Sequence, residues 1–161
     1  MTKPVKPKYR RVVTGHDAAG KAKVIFDDLV PNVSSGRPGH GAHVIWTTEN
    51  LPVEFVEDNN DNGAREIATT IKDGSVFRIV EYGRGVSPRN HRTESIDYAV
   101  VISGAIDMGL EDGETVHLTA GDVLVQRGTI HNWINQGTVP CVIAFVLISS
   151  KPIDSVGKAM G

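Results

Sequence analysis

The chain alternates short apolar runs with turn residues rather than showing a helical period. From residue 75 onward, β-branched and aromatic runs predict strands over 76–82, 95–103, 105–110, 114–118, 122–126, 130–135 and 139–149. Glycines at 104, 113, 121, 128 and 137 punctuate them every seven to nine residues. Asp112-Gly113 is the strongest hairpin signal and predicts a type I′ turn. Earlier runs at 11–14, 22–26 and 43–46 predict strands separated by polar or glycine-rich loops at 34–41 and 58–63. Helical spacing is weak and confined to 64–72 and 154–160. Regular short strands with regular turns predict an all-β barrel or sandwich with at most a minor helix.

Period-two alternation places His91, Thr93, Ser95, Asp97, Ala99 and Val101 on one face, and Glu94, Ile96, Tyr98, Val100 and Ile102 on the other. The last strand, 142–148, is apolar on both faces, so something besides a barrel interior is expected to cover it.

Length and composition narrow the picture. A chain of 161 residues predicts one domain. Within it, 1–8 reads as a disordered tail, 9–74 as N-terminal strands and loops that could form a dimer arm, 75–150 as the barrel core and 151–161 as a C-terminal tail. A net charge of −2 supplies no basic excess, so no nucleic-acid partner is expected. One cysteine, Cys141, excludes an intramolecular disulfide framework; it is expected buried and inert. The longest apolar run is far short of a membrane helix, and the basic, proline-broken start has no apolar segment behind it. A cytoplasmic protein with no membrane partner is the expectation.

The candidate chemistry lies between residues 85 and 135. Gly85, five residues, His91-x-Thr93, three residues, Asp97, six residues and Gly104 form one pattern. Gly121, Gln126-x-Gly128, two residues, His131, three residues and Asn135 form a second, and a single hairpin joins the two. The pair resembles the two motifs of the cupin superfamily, with Thr93 in place of the second histidine, Asp97 in place of the glutamate and Gln126 in place of the proline. The run His91-Arg-Thr-Glu-Ser-Ile-Asp-Tyr98 further resembles a bacterial and fungal subgroup of single-domain cupins, some of them associated with aromatic or polyketide metabolism. The resemblance implies a cupin-type antiparallel β-barrel, also described as a jelly roll or double-stranded β-helix. It also implies dimerisation through N-terminal strands.

Positions 91 and 97 share a face, and His131 would come from a second strand. If that face is inward, His91, Asp97 and His131 supply two imidazoles and one carboxylate. This set suits one divalent transition metal, Fe, Zn, Mn or Ni. Thr93 could hydrogen-bond a metal-bound water. Glu94, on the opposite face, is a reserve ligand, and Gln126 and Trp133 are expected near the pocket. The alternative is a metal-free polar interior in which His91 and Asp97 are a hydrogen-bonded pair and His131 holds a turn.

His16, His40 and His43 are expected to be solvated loop histidines, and His117 an exposed strand residue. Surface salt bridges are expected for Arg78, Arg92 and Arg127, although a barrel-facing arginine would suit a carboxylate-bearing substrate. Three functions follow. The first is a metal-dependent lyase, a decarboxylase or dehydratase, acting on a small organic acid, ketone or aromatic molecule. The second is an Fe(II)-dependent dioxygenase, and the third a non-catalytic small-molecule binder. A homodimer is expected in each case.

Overall fold

The computed structural model describes residues 5–55 and 60–153. Eleven strands are placed: β1 (Arg10–His16), β2 (Ala22–Leu29), β3 (Val33–Ser34), β4 (His40–Thr48), β5 (Ser75–Tyr82), β6 (Ser95–Ser103), β7 (Ala105–Leu110), β8 (Thr115–Thr119), β9 (Val123–Arg127), β10 (His131–Ile134) and β11 (Cys141–Ser149). They form a six-stranded sheet in the order β3-β4-β5-β11-β6-β9, a three-stranded sheet β10-β7-β8 and a separate β1-β2 hairpin. Every pairing is antiparallel.

The two larger sheets enclose one core. Val76, Val80 and Tyr82 come from β5, Ala99 and Val101 from β6, and Ile143, Phe145 and Leu147 from β11. Ile106, Met108, Leu118 and Trp133 meet them from the opposite sheet. The alternation in β6 is the one read from sequence: Ser95, Asp97, Ala99 and Val101 are buried while Tyr98, Val100 and Ile102 are exposed. The architecture is the expected all-β jelly roll.

Several local expectations fail for identifiable reasons. No α-helix spans 64–72. The only helix among the described residues is a single 3-10 turn, Asn62–Ala64, capped by the Asp61 carboxylate accepting from Gly63 N. The helical signal came from Ile67 and Ile71, which pack on the core from an irregular segment that happens to carry the i, i+4 spacing. The second weak helix, 154–160, lies outside the described residues, as does most of the C-terminal tail. The β7–β8 connection is a hairpin, but its turn is not type I′. Gly113 alone has positive φ, at 93°, and its N–H donates to Leu110 O at 3.1 Å while Leu110 N donates to Glu114 O at 2.7 Å. This is a longer loop with glycine at the left-handed position, so Asp112 is spared an unfavourable backbone.

The N-terminal strands do not extend away from the barrel. β1 and β2 pair with each other. Arg11 pins them to their own chain, donating to Asp28 at 2.8 Å, to Asp61 at 2.5 Å and to Ile45 O at 3.2 Å. Residues 1–4 of the predicted tail lie outside the described residues. Lys8 pairs with Glu81, and Tyr9 Oη donates to the same carboxylate at 3.0 Å.

Candidate functional site

Two backbone hydrogen bonds set the centre of the site. His91 N donates to His131 O and His131 N to His91 O, each at 3.0 Å, an isolated antiparallel bridge ahead of β6. The bridge brings the imidazoles to a centroid separation of 4.4 Å. Each ring is anchored two residues back: His91 Nδ1 to Arg89 O and His131 Nδ1 to Thr129 O, both at 2.9 Å. A carbonyl only accepts, so each Nδ1 carries a proton, and in the neutral ring it is Nε2 that holds the lone pair. That is the tautomer a metal-ligating histidine requires. Burial lowers the His131 pKa to about 4, against the pull of Thr129 O, and keeps the ring neutral.

From β6 comes a chain of oxygens. Thr93 Oγ1 and Ser95 Oγ are 2.8 Å apart, and Ser95 Oγ donates to Asp97 Oδ1 at 2.5 Å. Burial raises the Asp97 pKa, while Ser95, Arg78 and His91 oppose the shift. Asp97 registers opposite Gln126 of β9. Gln126 Nε2 contacts Met108 Sδ at 3.5 Å, and its buried Oε1 has no partner.

His91, Thr93, Asp97, Gln126 and His131 line one cavity of about 20 Å³, together with Thr69, Arg78, Tyr82, Trp133, Phe145 and Leu147. That space admits one water or one monatomic ion. An aromatic wall backs it: Trp133 lies 5.7 Å from His131, 5.6 Å from Tyr82 and 5.9 Å from Phe145. A separate, larger cleft of about 560 Å³ is lined by Val5, Lys8, Pro38, His40, Glu81 and Pro140 among others. Its ionic groups, Lys8 and Glu81, are already paired, so the unspent chemistry lies in the smaller cavity.

His91, Thr93, Asp97, Gln126, His131 and Trp133 therefore line the cavity together. Glu94 is not among them: it is exposed, as its position on the opposite face required. Among the described residues, no three His, Cys, Asp or Glu side chains stand close enough to share one ion. The two imidazoles are joined; the Asp97 carboxylate is turned to Ser95. In kind, however, the donors suit a divalent transition metal. Two Nε2 lone pairs are free, and an orphaned buried oxygen, Gln126 Oε1, faces the same small space.

Several readings of single residues need correction. His43 is fully buried in β4, edge-on to Tyr9 with centroids 4.7 Å apart, and is not a solvated loop residue. His40 begins β4 and packs on Tyr82 at 5.6 Å, its pKa lowered to about 4 by burial and by Arg37, Arg78 and Arg89. Among the described residues Arg78 makes no salt bridge; it is half-buried on the inward face of β5, with its Nε shut off from solvent. The signal for it was present in the sequence. Val76, Val80 and Tyr82 are inward on β5, and position 78 shares their parity. His117 is an exposed strand residue 2.6 Å from Asp107, in line with expectation, whereas among the described residues neither the exposed Arg127 nor the half-buried Arg92 makes the expected salt bridge.

Comparison with known proteins places the geometry in context. Residues 76–148 match the model of the cupin domain. The chain is 36% identical to a cupin-domain-containing oxidoreductase, fogC, of Aspergillus ruber, over 93% of this chain and 77% of that protein. It is 36% identical to the phomopsin biosynthesis cluster protein C′ of Diaporthe leptostromiformis, over 94% of this chain and 84% of that protein. A cupin-domain-containing oxidoreductase of Hypocrea virens, virC, is 36% identical over 89% of this chain and 77% of that protein. Among solved structures, KdgF from Halomonas sp. superposes with a TM-score of 0.50 at 19% identity, over 77% of this chain and 92% of that one, which shows the shared fold. No helix among the described residues is long and apolar enough to cross a membrane.

Proposed function

The chain belongs to the cupin family, and from that premise we propose that it is an enzyme acting on a small organic molecule at the His91–His131 pair. The observation that carries this reading is the pair itself: two buried or half-buried imidazoles, locked in one tautomer by backbone carbonyls, with both Nε2 atoms unspent. A purely structural histidine pair would gain from using those atoms.

His91 and His131 would hold one divalent transition metal through Nε2, with Asp97 or Gln126 as the oxygen donor. Such a metal supplies Lewis-acid polarisation of a carbonyl or carboxylate when bound. The protein's own groups do the rest. Ser95 fixes Asp97 through Oδ1, which leaves Oδ2 as the atom that takes or gives a proton. Thr93 fixes Ser95 in turn. Trp133, Tyr82 and Phe145 keep bulk water from the centre. Proton transfer at Asp97 beside a polarised carbonyl suits decarboxylation or dehydration, a lyase reaction on a small acid, ketone or aromatic molecule. The cavity holds only one water or ion, so a substrate approaches from its mouth or displaces a lining side chain.

A second reading is an oxidoreductase, the word in the names of two 36%-identical relatives, and an Fe-dependent dioxygenase is the form of it proposed for this site. Metal analysis of the purified protein decides first, followed by oxygen uptake and product analysis on a panel of small organic acids. Product formation without oxygen uptake supports the lyase, and stoichiometric oxygen uptake the oxidoreductase. Neither activity across the panel, with no bound metal, would leave a metal-free binding protein.

We also propose a homodimer. Tyr98, Val100 and Ile102 on β6 and Val123 and Val125 on the edge strand β9 form a contiguous exposed apolar face, because Tyr98 registers with Val125 and Val100 with Val123. A second copy related by a two-fold axis would cover the same patch on each partner.

A further inference from the structure

We propose that Arg78 is the binding site for the carboxylate of an organic anion, held by the guanidinium inside the barrel beside Asp97 and His91. The inference rests on the enzyme reading above and narrows it to a substrate class.

Arg78 projects from the inward face of β5 between Val76 and Val80, two residues without any exposed surface. Its side chain lines the same small cavity as His91, His131 and Asp97. Among the described residues it makes no hydrogen bond and no ion pair within 4.0 Å, and its Nε is shut off from solvent without a partner. A guanidinium partly withdrawn from water without a counter-ion is costly, and such charges in proteins are ordinarily paired. The nearest acid in the cavity, Asp97, gives its Oδ1 to Ser95 instead. The chain thus holds a half-buried cation and, among the described residues, spends no side chain on a direct ion pair with it.

A second observation points the same way. Arg37 and Arg89 lie within electrostatic reach of His40, as Arg78 does, and neither is ion-paired with a described residue. Arg37 Nε is likewise buried without a partner. This end of the barrel therefore concentrates three unneutralised guanidiniums in a chain whose net charge is −2. Such a concentration of positive charge around a half-buried arginine draws in an anion.

The class of anion follows from shape and charge. The planar fork of a guanidinium matches a planar carboxylate through two parallel hydrogen bonds. A monoanion matches the single positive charge of Arg78 and, like any ligand larger than water, displaces a lining side chain of the cavity on binding. Asp97 in the same cavity further disfavours a second negative charge.

The test measures binding rather than turnover, so its failure is separable from failure of the enzyme reading. Benzoate and acetate are titrated into the purified protein, with benzamide as the uncharged control and inorganic phosphate as the tetrahedral one. Binding is read by calorimetry and by the Nε–H resonance of Arg78. Saturable carboxylate binding with a shift of that resonance is expected, and no binding of benzamide. Arg78→Met should weaken carboxylate binding at least about tenfold, the loss of a charge-assisted pair. It should also be at least as stable as the wild type to urea, since it removes a half-buried charge that lacks a direct partner. Arg78→Lys keeps the charge without the fork and should bind in between; it decides the question if the methionine variant does not fold. His91→Ala should lose turnover yet still bind benzoate. Equal affinity in the wild type and both Arg78 variants, no saturable carboxylate binding to the wild type, or tighter binding of phosphate than benzoate would each overturn the assignment.

Discussion

His91 and His131 exchange a reciprocal pair of backbone hydrogen bonds although forty residues separate them, and this exchange, not their side chains, sets the 4.4 Å ring separation. The carbonyls of Arg89 and Thr129 then fix each ring. The pair is built by the backbone and survives loss of either imidazole.

It follows that His91→Ala and His131→Ala should fold normally and lose activity. Turnover should fall by about two orders of magnitude or more, the usual effect of removing a positioned catalytic group. Circular dichroism and turnover on the same samples check this. A variant that keeps near-wild-type turnover would remove the pair from the mechanism.

The two glycines that bound the first motif should respond differently to alanine. Both have positive φ, 71° at Gly85 and 76° at Gly104. A Cβ at Gly85 would meet nothing, whereas at Gly104 it would lie 2.5 Å from Pro140 O and 3.0 Å from Cys141 Cα. Gly85→Ala should cost about 1–2 kcal/mol, the backbone term alone. Gly104→Ala adds a collision with backbone that cannot rotate away and should cost more than about 3 kcal/mol. Urea denaturation of the two variants should rank them in that order.

The sequence carried the strands well, because alternation and glycine spacing are local. The spans 95–103 and 105–110 coincide with β6 and β7, and the inward parity of Asp97 is the one alternation required. It carried the site as a set of types at the right spacing, and the cavity gathers six of its seven named residues. What it could not carry is direction at irregular backbone. His91 precedes β6 and is placed by a bridge to β10 rather than by strand parity, and the Asp97 carboxylate is claimed by Ser95, a competitor within the same strand. Arg78 was legible only as an alternative, because its charge points to the surface while its parity on β5 points inward.

Stability should fall as pH drops from about 6.5 toward 4. His40 has its pKa lowered to about 4, chiefly by burial, and His43 is lowered by burial as well. In the unfolded chain both titrate near the ordinary value, about 6.5. Between the two values the unfolded state binds more protons, so the folded state loses stability as pH falls through the window and regains it above. The urea midpoint should therefore be highest above pH 7, and His40→Gln should flatten its decline. A midpoint independent of pH between 4 and 7 would contradict this account.

Cys141 is fully buried at the start of β11, and burial pushes its thiol up to about 11. Thiolate is the reactive form, so at pH 8 the native protein should react with a thiol-specific disulfide reagent only at the rate at which it opens. Rapid stoichiometric labelling is expected once urea unfolds the chain. Fast labelling without denaturant would show that β11 is exposed to solvent.

Arg11 is the strongest tie between the β1-β2 hairpin and the barrel. Its guanidinium is almost fully buried and serves Asp28, Asp61 and the carbonyl of Ile45 at once. Asp61 in turn accepts from Gly63 N, so the same group that holds the hairpin shapes the 3-10 turn beneath it. Phe26 of β2 approaches Trp46 of β4 at 6.1 Å, and Arg11 lies 5.1 Å from the Phe26 ring, which adds a cation–π contact to the seam. Arg11→Met removes the charge and leaves two carboxylates and a carbonyl without their donor. Removing one partner of a buried pair costs about 3–5 kcal/mol; here about 2–3 kcal/mol is expected, because Asp28 and Asp61 keep partial contact with water. Arg11→Lys should recover only part, since an ammonium cannot serve both carboxylates in forked geometry. Limited proteolysis distinguishes local from global loss: cleavage confined to the segment before β3, with the β5–β11 barrel protected, is the expected pattern, and uniform digestion would show that the hairpin is part of the cooperative core.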